Sequence, residues 1–90
     1  MRYHHAPEVT WELADERAVI LDAAGRTLTT LNPVGTLIWR YLDEPRDDED
    51  IVDHLAGRFP AVDHDRLHDD ADTFLARLLD GGLLVPAADG

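Results

Sequence analysis

The sequence predicts an α+β fold, three antiparallel strands followed by three helices, from three observations. Apolar residues recur with period two as far as Leu31 and with a period near 3.6 afterwards. The switch falls at Asn32-Pro33, a side chain able to cap a helix followed by a residue suited to the first helical position. Two more capping residues, Asp47 and Asp63, each precede an amphipathic run.

Residues 1–7 carry no pattern and read as a flexible N-terminus, so the domain proper is expected over 8–85. From Val9 the alternation begins: Val9, Trp11 and Leu13 on one face, Thr10 and Glu12 on the other, a half-buried strand. After Asp15-Glu16-Arg17, the run Ala18–Asp22 is apolar enough to be covered on both faces. Ala23-Ala24-Gly25 is a hairpin-length turn, and Thr27–Leu31 is a third strand rich in β-branched residues.

The helical half follows. Val34, Leu37, Ile38, Tyr41 and Leu42 form one apolar stripe of a first helix over Pro33–Leu42, with Trp39 at its margin. Asp47 caps a second helix whose first turn, Asp48-Glu49-Asp50, complements the helix dipole; Ile51, Val52, Leu55 and Phe59 are its buried face. Asp63 caps a third helix with Leu67, Ala71, Phe74 and Leu78 as its core stripe. His68, Asp72, Leu75 and Leu79 form a second stripe beside it. Gly81-Gly82 ends that helix, Leu83–Val85 can add a short strand or pack on the core, and 86–90 reads as a flexible tail.

Composition narrows the function. Ninety residues with a formal charge of −11 make a single acidic domain, a poor duplex binder, since phosphate neutralisation supplies most of the affinity there. A helix-turn-helix over the second and third helices is the rival reading, but Arg66 and Arg77 stand there among five Asp. There is no cysteine, which removes disulfides and thiolate chemistry. No apolar run is long enough to span a bilayer and the N-terminus lacks a signal-peptide core, so no membrane role and a cytoplasmic location are expected. The chain has no Ser, and its six Thr and five His are not spaced as a nucleophile, base and acid; no catalytic residue and no cofactor are expected. His64 and His68 share a helix face, yet such a pair arises by chance on an acidic helix, so no metal site is assigned.

What remains is binding. If the third strand lies at the sheet edge beside the third helix, its unpaired backbone can accept a peptide as an added strand, with the second stripe as the opposite wall. From Asp43 to Asp80 there are thirteen acidic residues and four Arg, a surface that attracts cationic partners. An exposed edge also permits a domain-swapped homodimer.

Leu31-Asn32-Pro33, Gly35, Ile38-Trp39 and Leu42-Asp43, followed by Ile51-Val52-x-x-Leu55, Phe74-Leu75-x-x-Leu78 and Gly82-Leu83, resemble the PqqD-like family over Val9 to Val85. The resemblance implies a winged-helix-like fold and the role of a RiPP recognition element, a protein that binds the leader segment of a ribosomally made precursor peptide. The peptide would lie between the third strand and the third helix and be presented to an enzyme. That enzyme would be a leader peptidase or cyclase in the lasso-peptide type, favoured here by chain length and acidity. In the PqqD type, which acts as a peptide chaperone, it would be a radical-SAM enzyme. A third reading is a structural subunit whose groove a partner fills permanently. Carried over by position, Thr27, Leu28, Thr29, Thr30 and Leu31 supply the receiving strand, with Leu28 and either Thr30 or Leu31 facing the peptide's apolar side chains. Leu75 and Leu79 form the opposite wall, and His68 and Asp72 its rim.

Overall fold

The computed structural model describes residues 1–87. The order is β1 (Arg2–His5), β2 (Thr10–Ala14), β3 (Arg17–Leu21), β4 (Leu28–Thr30), α1 (Pro33–Tyr41), β5 (Arg46–Asp47), α2 (Asp48–Arg58), α3 (His64–Asp80) and β6 (Leu84–Ala87). The fold is α+β and winged-helix-like: the antiparallel sheet β2-β3-β4 followed by three helices.

The local chemistry that marks the helix starts is present. The Asn32 side chain accepts from the Gly35 N–H at 2.7 Å, with Pro33 in the first turn. Asp47 and Asp50 form a reciprocal capping box at α2, and Asp63 accepts from the Asp65 N–H at α3. Gly82 ends α3 with φ of +74°, in the left-handed region. Between β2 and β3, Asp15 and Glu16 both have positive φ, as a two-residue hairpin loop matched to strand twist requires.

Four expectations are corrected. The N-terminus is a strand: β1 pairs with β5 and β6 in a second antiparallel sheet, ordered β5-β1-β6. Arg-Tyr-His-His lacks an apolar alternation: Tyr3 is its single apolar residue, and its other anchor is the His5 ring, a polar side chain in sequence patterning. The tail expected at 86–90 begins inside β6, where Pro86 and Ala87 face Tyr3 and Arg2; 88–90 lie outside the described residues. β3 is covered on one face only, with Ala18 and Ile20 fully buried and Val19 and Leu21 half-buried. The core face of α1 is turned from Val34 and Leu37 towards Gly35, Ile38, Trp39 and Leu42. Trp39 is fully buried and draws the helix round: it stacks on His5 and meets Trp11 edge-on.

The core lies between the β2-β3-β4 sheet and the helices. Ala18, Ile20 and Leu31 from the sheet side pack with Ile38, Trp39, Leu42, Ile51, Val52 and Leu55 of α1 and α2, and with Leu67, Ala71, Leu75 and Leu78 of α3. Thr36 is buried among them, and its hydroxyl accepts from the Ala18 N–H at 3.0 Å, fastening α1 to the start of β3.

Candidate functional site: the cleft between β4 and α3

β4 is an edge of its sheet, and its hydrogen-bond parity decides which groups are free. Leu31 N–H donates to Ala18 C=O at 2.9 Å, and Asp22 N–H donates to Thr27 C=O at 3.1 Å. With Thr29 opposite Ile20, residues 27, 29 and 31 therefore turn their backbone groups towards β3. The N–H and C=O of Leu28 and Thr30 point the other way, out of the sheet. Two residues with four outward polar groups form a short template for one added strand.

The side chains alternate likewise. Thr27 and Thr29 face α3 and line a recess with Asp22, Arg77, Leu78 and Leu83. A second recess, sharing Arg77, is lined by Asn32, Val34, Gly35, Asp70, Thr73 and Phe74. A third shares Val34 and Asp70 with the second and runs over Leu55, Phe59, Val62 and Leu67. The three make one continuous cleft from the β3–β4 turn, along α3, to the open end of the helices.

Thr27 and Thr29 therefore stand in the cleft. Leu28 and Thr30 offer backbone to its open side, while their side chains lie on the opposite sheet face. There Leu28, 68% exposed, borders a shallow recess with Val19 and Leu21. Leu31 is 6% exposed and belongs to the core.

The residues expected on the opposite wall are elsewhere. Leu75 is 3% exposed and packed in the core, and Leu79 is half-buried against it. His68 and Asp72 pair with each other at 3.1 Å on the flank of α3 nearest β1, where His68 shares a recess with Tyr3 and Asp48. The Tyr3 hydroxyl on that flank is held above its usual pKa by burial and then by the Asp48 carboxylate. Helix geometry accounts for the misplacement. At about 100° per residue, Phe74 and Leu75 lie on opposite sides of the line through Leu67, Ala71 and Leu78, about 40° and about 60° from it. Either can complete the core stripe; Leu75 does, and Phe74 turns into the cleft. The wall is thus Asp70, Thr73, Phe74 and Arg77, which spacing did not single out.

The cleft's shape rests on small contacts. A Cβ on Gly35 would lie 2.8 Å from Phe74 Cε1, so the missing side chain lets the Phe74 ring lie against α1. Asp22 Oδ1 accepts from the Arg26 N–H at 2.8 Å and, more weakly, from the Thr27 N–H at 3.4 Å. These bonds, led by that from Arg26, hold its carboxyl below the usual pKa and fix the turn that starts β4.

Among the described residues no group of three or more His, Cys, Asp or Glu is arranged to hold a metal, and no helix is long and apolar enough to cross a membrane.

A family model described as Coenzyme PQQ synthesis protein D (PqqD) matches residues 17–84. Among solved structures, the chain is similar to that described as "TbiB1 in Complex with the TbiA(beta) Leader Peptide": TM-score 0.84, 30% identity, 96% of this chain and 99% of that one. It is also similar in fold to "Lasso peptide synthetase B1 complexed with the leader peptide": TM-score 0.81, 21% identity, 93% of this chain and 98% of that one. No curated protein matches the sequence.

Proposed function

The chain belongs to the PqqD family, and on that premise we propose that it is a leader-peptide recognition protein of a lasso-peptide pathway. The observation that carries the reading is the edge of β4, where Leu28 and Thr30 turn four backbone groups towards a cleft walled by α3. Likeness to a TbiB1 chain solved with a leader peptide supports the same reading.

In this reading the leader extends β4 by one strand. Backbone bonds supply affinity with little sequence preference, and the pockets on alternate sides select side chains. Four outward groups and a few apolar anchors are consistent with a dissociation constant on the order of 1 μM. The role is recognition: the protein holds the leader while a separate peptidase or cyclase acts on the precursor. The acidic α2–α3 surface favours a basic patch on that enzyme. The proposal includes a cytoplasmic setting and, through the same edge, competition between peptide binding and homodimer formation. Presentation to a radical-SAM enzyme, as the resemblance to the PqqD type implies, is the alternative.

The test is titration of the cognate precursor's leader peptide into isotopically labelled protein. Amide shifts concentrated at residues 27–31 and along Thr73, Phe74 and Arg77 are expected. Saturable binding that leaves both segments unperturbed would overturn the strand-addition reading.

A further inference from the structure

Arg77 sits where the first two recesses of the cleft meet, across from Thr27 and Thr29 and beside Phe74. It is exposed, and no carboxylate of the described residues pairs with it. Arg17, Arg26, Arg40 and Arg58 are likewise without a carboxylate partner among the described residues, but Arg77 is the one of these that borders the cleft, and two acids line the same recesses. Both are directed elsewhere. Asp22 is engaged by the backbone N–H groups of its own turn, and Asp70 lies 3.9 Å from Arg66, one helical turn back. The helix dipole favours a cation somewhere in the last turn of α3, but it does not select the side that faces the cleft.

We propose that Arg77 is a specificity residue that selects a peptide with an Asp or Glu side chain on the cleft-facing side of the added strand, two residues from an apolar side chain packed on Phe74. The inference rests on the strand-addition reading and deepens it. In an added strand, side chains two residues apart enter the cleft together while the residue between them lies on the other sheet face, beside Leu28. Arg77 borders both recesses whereas Phe74 lines only the second, so the apolar residue lies nearer the Asn32 end of β4. Guanidinium and carboxylate match in a paired, charge-assisted geometry, and the cleft walls shield the pair from water once the peptide is seated. An overall negative protein thereby draws in a cationic peptide at long range, yet holds it in register through one acidic residue.

The test uses a phage-displayed library of random 15-residue peptides, selected on the folded protein in 0.15 M salt. The expected result is enrichment of peptides carrying Asp or Glu two positions from an apolar residue, whose synthetic versions shift the Leu28 and Thr30 amides. Changing that acid to its amide is expected to weaken binding about tenfold to the native chain and negligibly to an Arg77→Gln variant with an unchanged amide spectrum elsewhere. Selection on Arg77→Glu is expected to exchange the acid for Lys or Arg. Selected peptides that shift β4 but show no acidic preference and bind Arg77→Gln equally would overturn the role of Arg77 and leave strand addition standing. Failure of any selected peptide to shift β4 would overturn both.

Discussion

The His5 imidazole lies flat on the Trp39 indole, ring centroids 3.7 Å apart and planes 9° apart, while its Nε2–H donates to the Trp39 carbonyl at 2.8 Å. One side chain thus ties β1 to the most buried residue of α1. It accounts for a strand whose sequence shows no strand pattern, and it makes the second sheet sensitive to protonation.

Burial is the main reason His5 titrates below its usual value of 6.5, partly offset by its bond to the Trp39 carbonyl. Folding therefore favours its neutral form, and the unfolded chain binds the extra proton first. The stabilisation is fully present above about pH 6.5 and is lost as pH falls towards the depressed native value. His54, stacked on Tyr41, is lowered mainly by its own burial, then by Arg58 and Arg46, and acts in the same direction. Thermal unfolding measured from pH 7.5 to 5 is expected to show a falling Tm. The fall should be shallower, though not abolished, in His5→Phe. An equal slope in that variant would remove His5 from this account.

Thr36 is a different kind of fastening. Its hydroxyl is the acceptor for the N–H of Ala18, a residue with no exposed surface. Thr36→Val keeps the shape and removes the acceptor, leaving a buried donor unsatisfied at a cost of about 1–3 kcal/mol. Thr36→Ser, which retains the oxygen, should recover most of that loss. Urea unfolding of the three proteins checks the order; a Val variant as stable as the parent would show that the bond is replaced by another.

The helix starts were legible because caps are local: Asn32, Asp47 and Asp63 act within three residues of themselves. The edge position of the third strand followed from chain order. The wall of the cleft was not legible, because it depends on how far α3 rotates about its axis. Phe74 and Leu75 satisfy the same core spacing, and the choice is made by what stands opposite, notably Gly35 against the Phe74 ring. β1 was missed for a related reason. Its partners β5 and β6 lie some forty and eighty residues away, and aromatic stacking with Trp39 leaves no periodic trace in Arg-Tyr-His-His.

Gly35 links fold and cleft. A methyl group there meets Phe74 Cε1 at 2.8 Å and Asn32 Oδ1 at 3.1 Å, so the ring must swing towards the cleft. Crowding costs stability, but alanine favours the helix by about 1 kcal/mol over glycine. Gly35→Ala is therefore expected to destabilise the fold by no more than about 2 kcal/mol while weakening leader-peptide binding several-fold. Calorimetric titration beside thermal unfolding separates the two effects. Undiminished affinity would show that the Phe74 ring moves away from the peptide path.

Neighbouring residues of β4 offer the sharpest test of strand addition, because their N–H groups point in opposite directions. Thr29 lies opposite Ile20 with its backbone turned to β3, so Thr29→Pro removes a ladder bond, leaves its acceptor unpaired and should destabilise the fold by about 1–3 kcal/mol. The Thr30 N–H points outward, and proline is tolerated on an edge strand when its missing donor faces solvent. Thr30→Pro should leave the fold intact, with an amide spectrum changed only near β4. It also deletes one of the four groups offered to an incoming strand and puts a ring in its path, so leader affinity is expected to fall tenfold or more. A folded Thr30→Pro protein that binds the leader as tightly as its parent would show that the peptide does not pair with this edge.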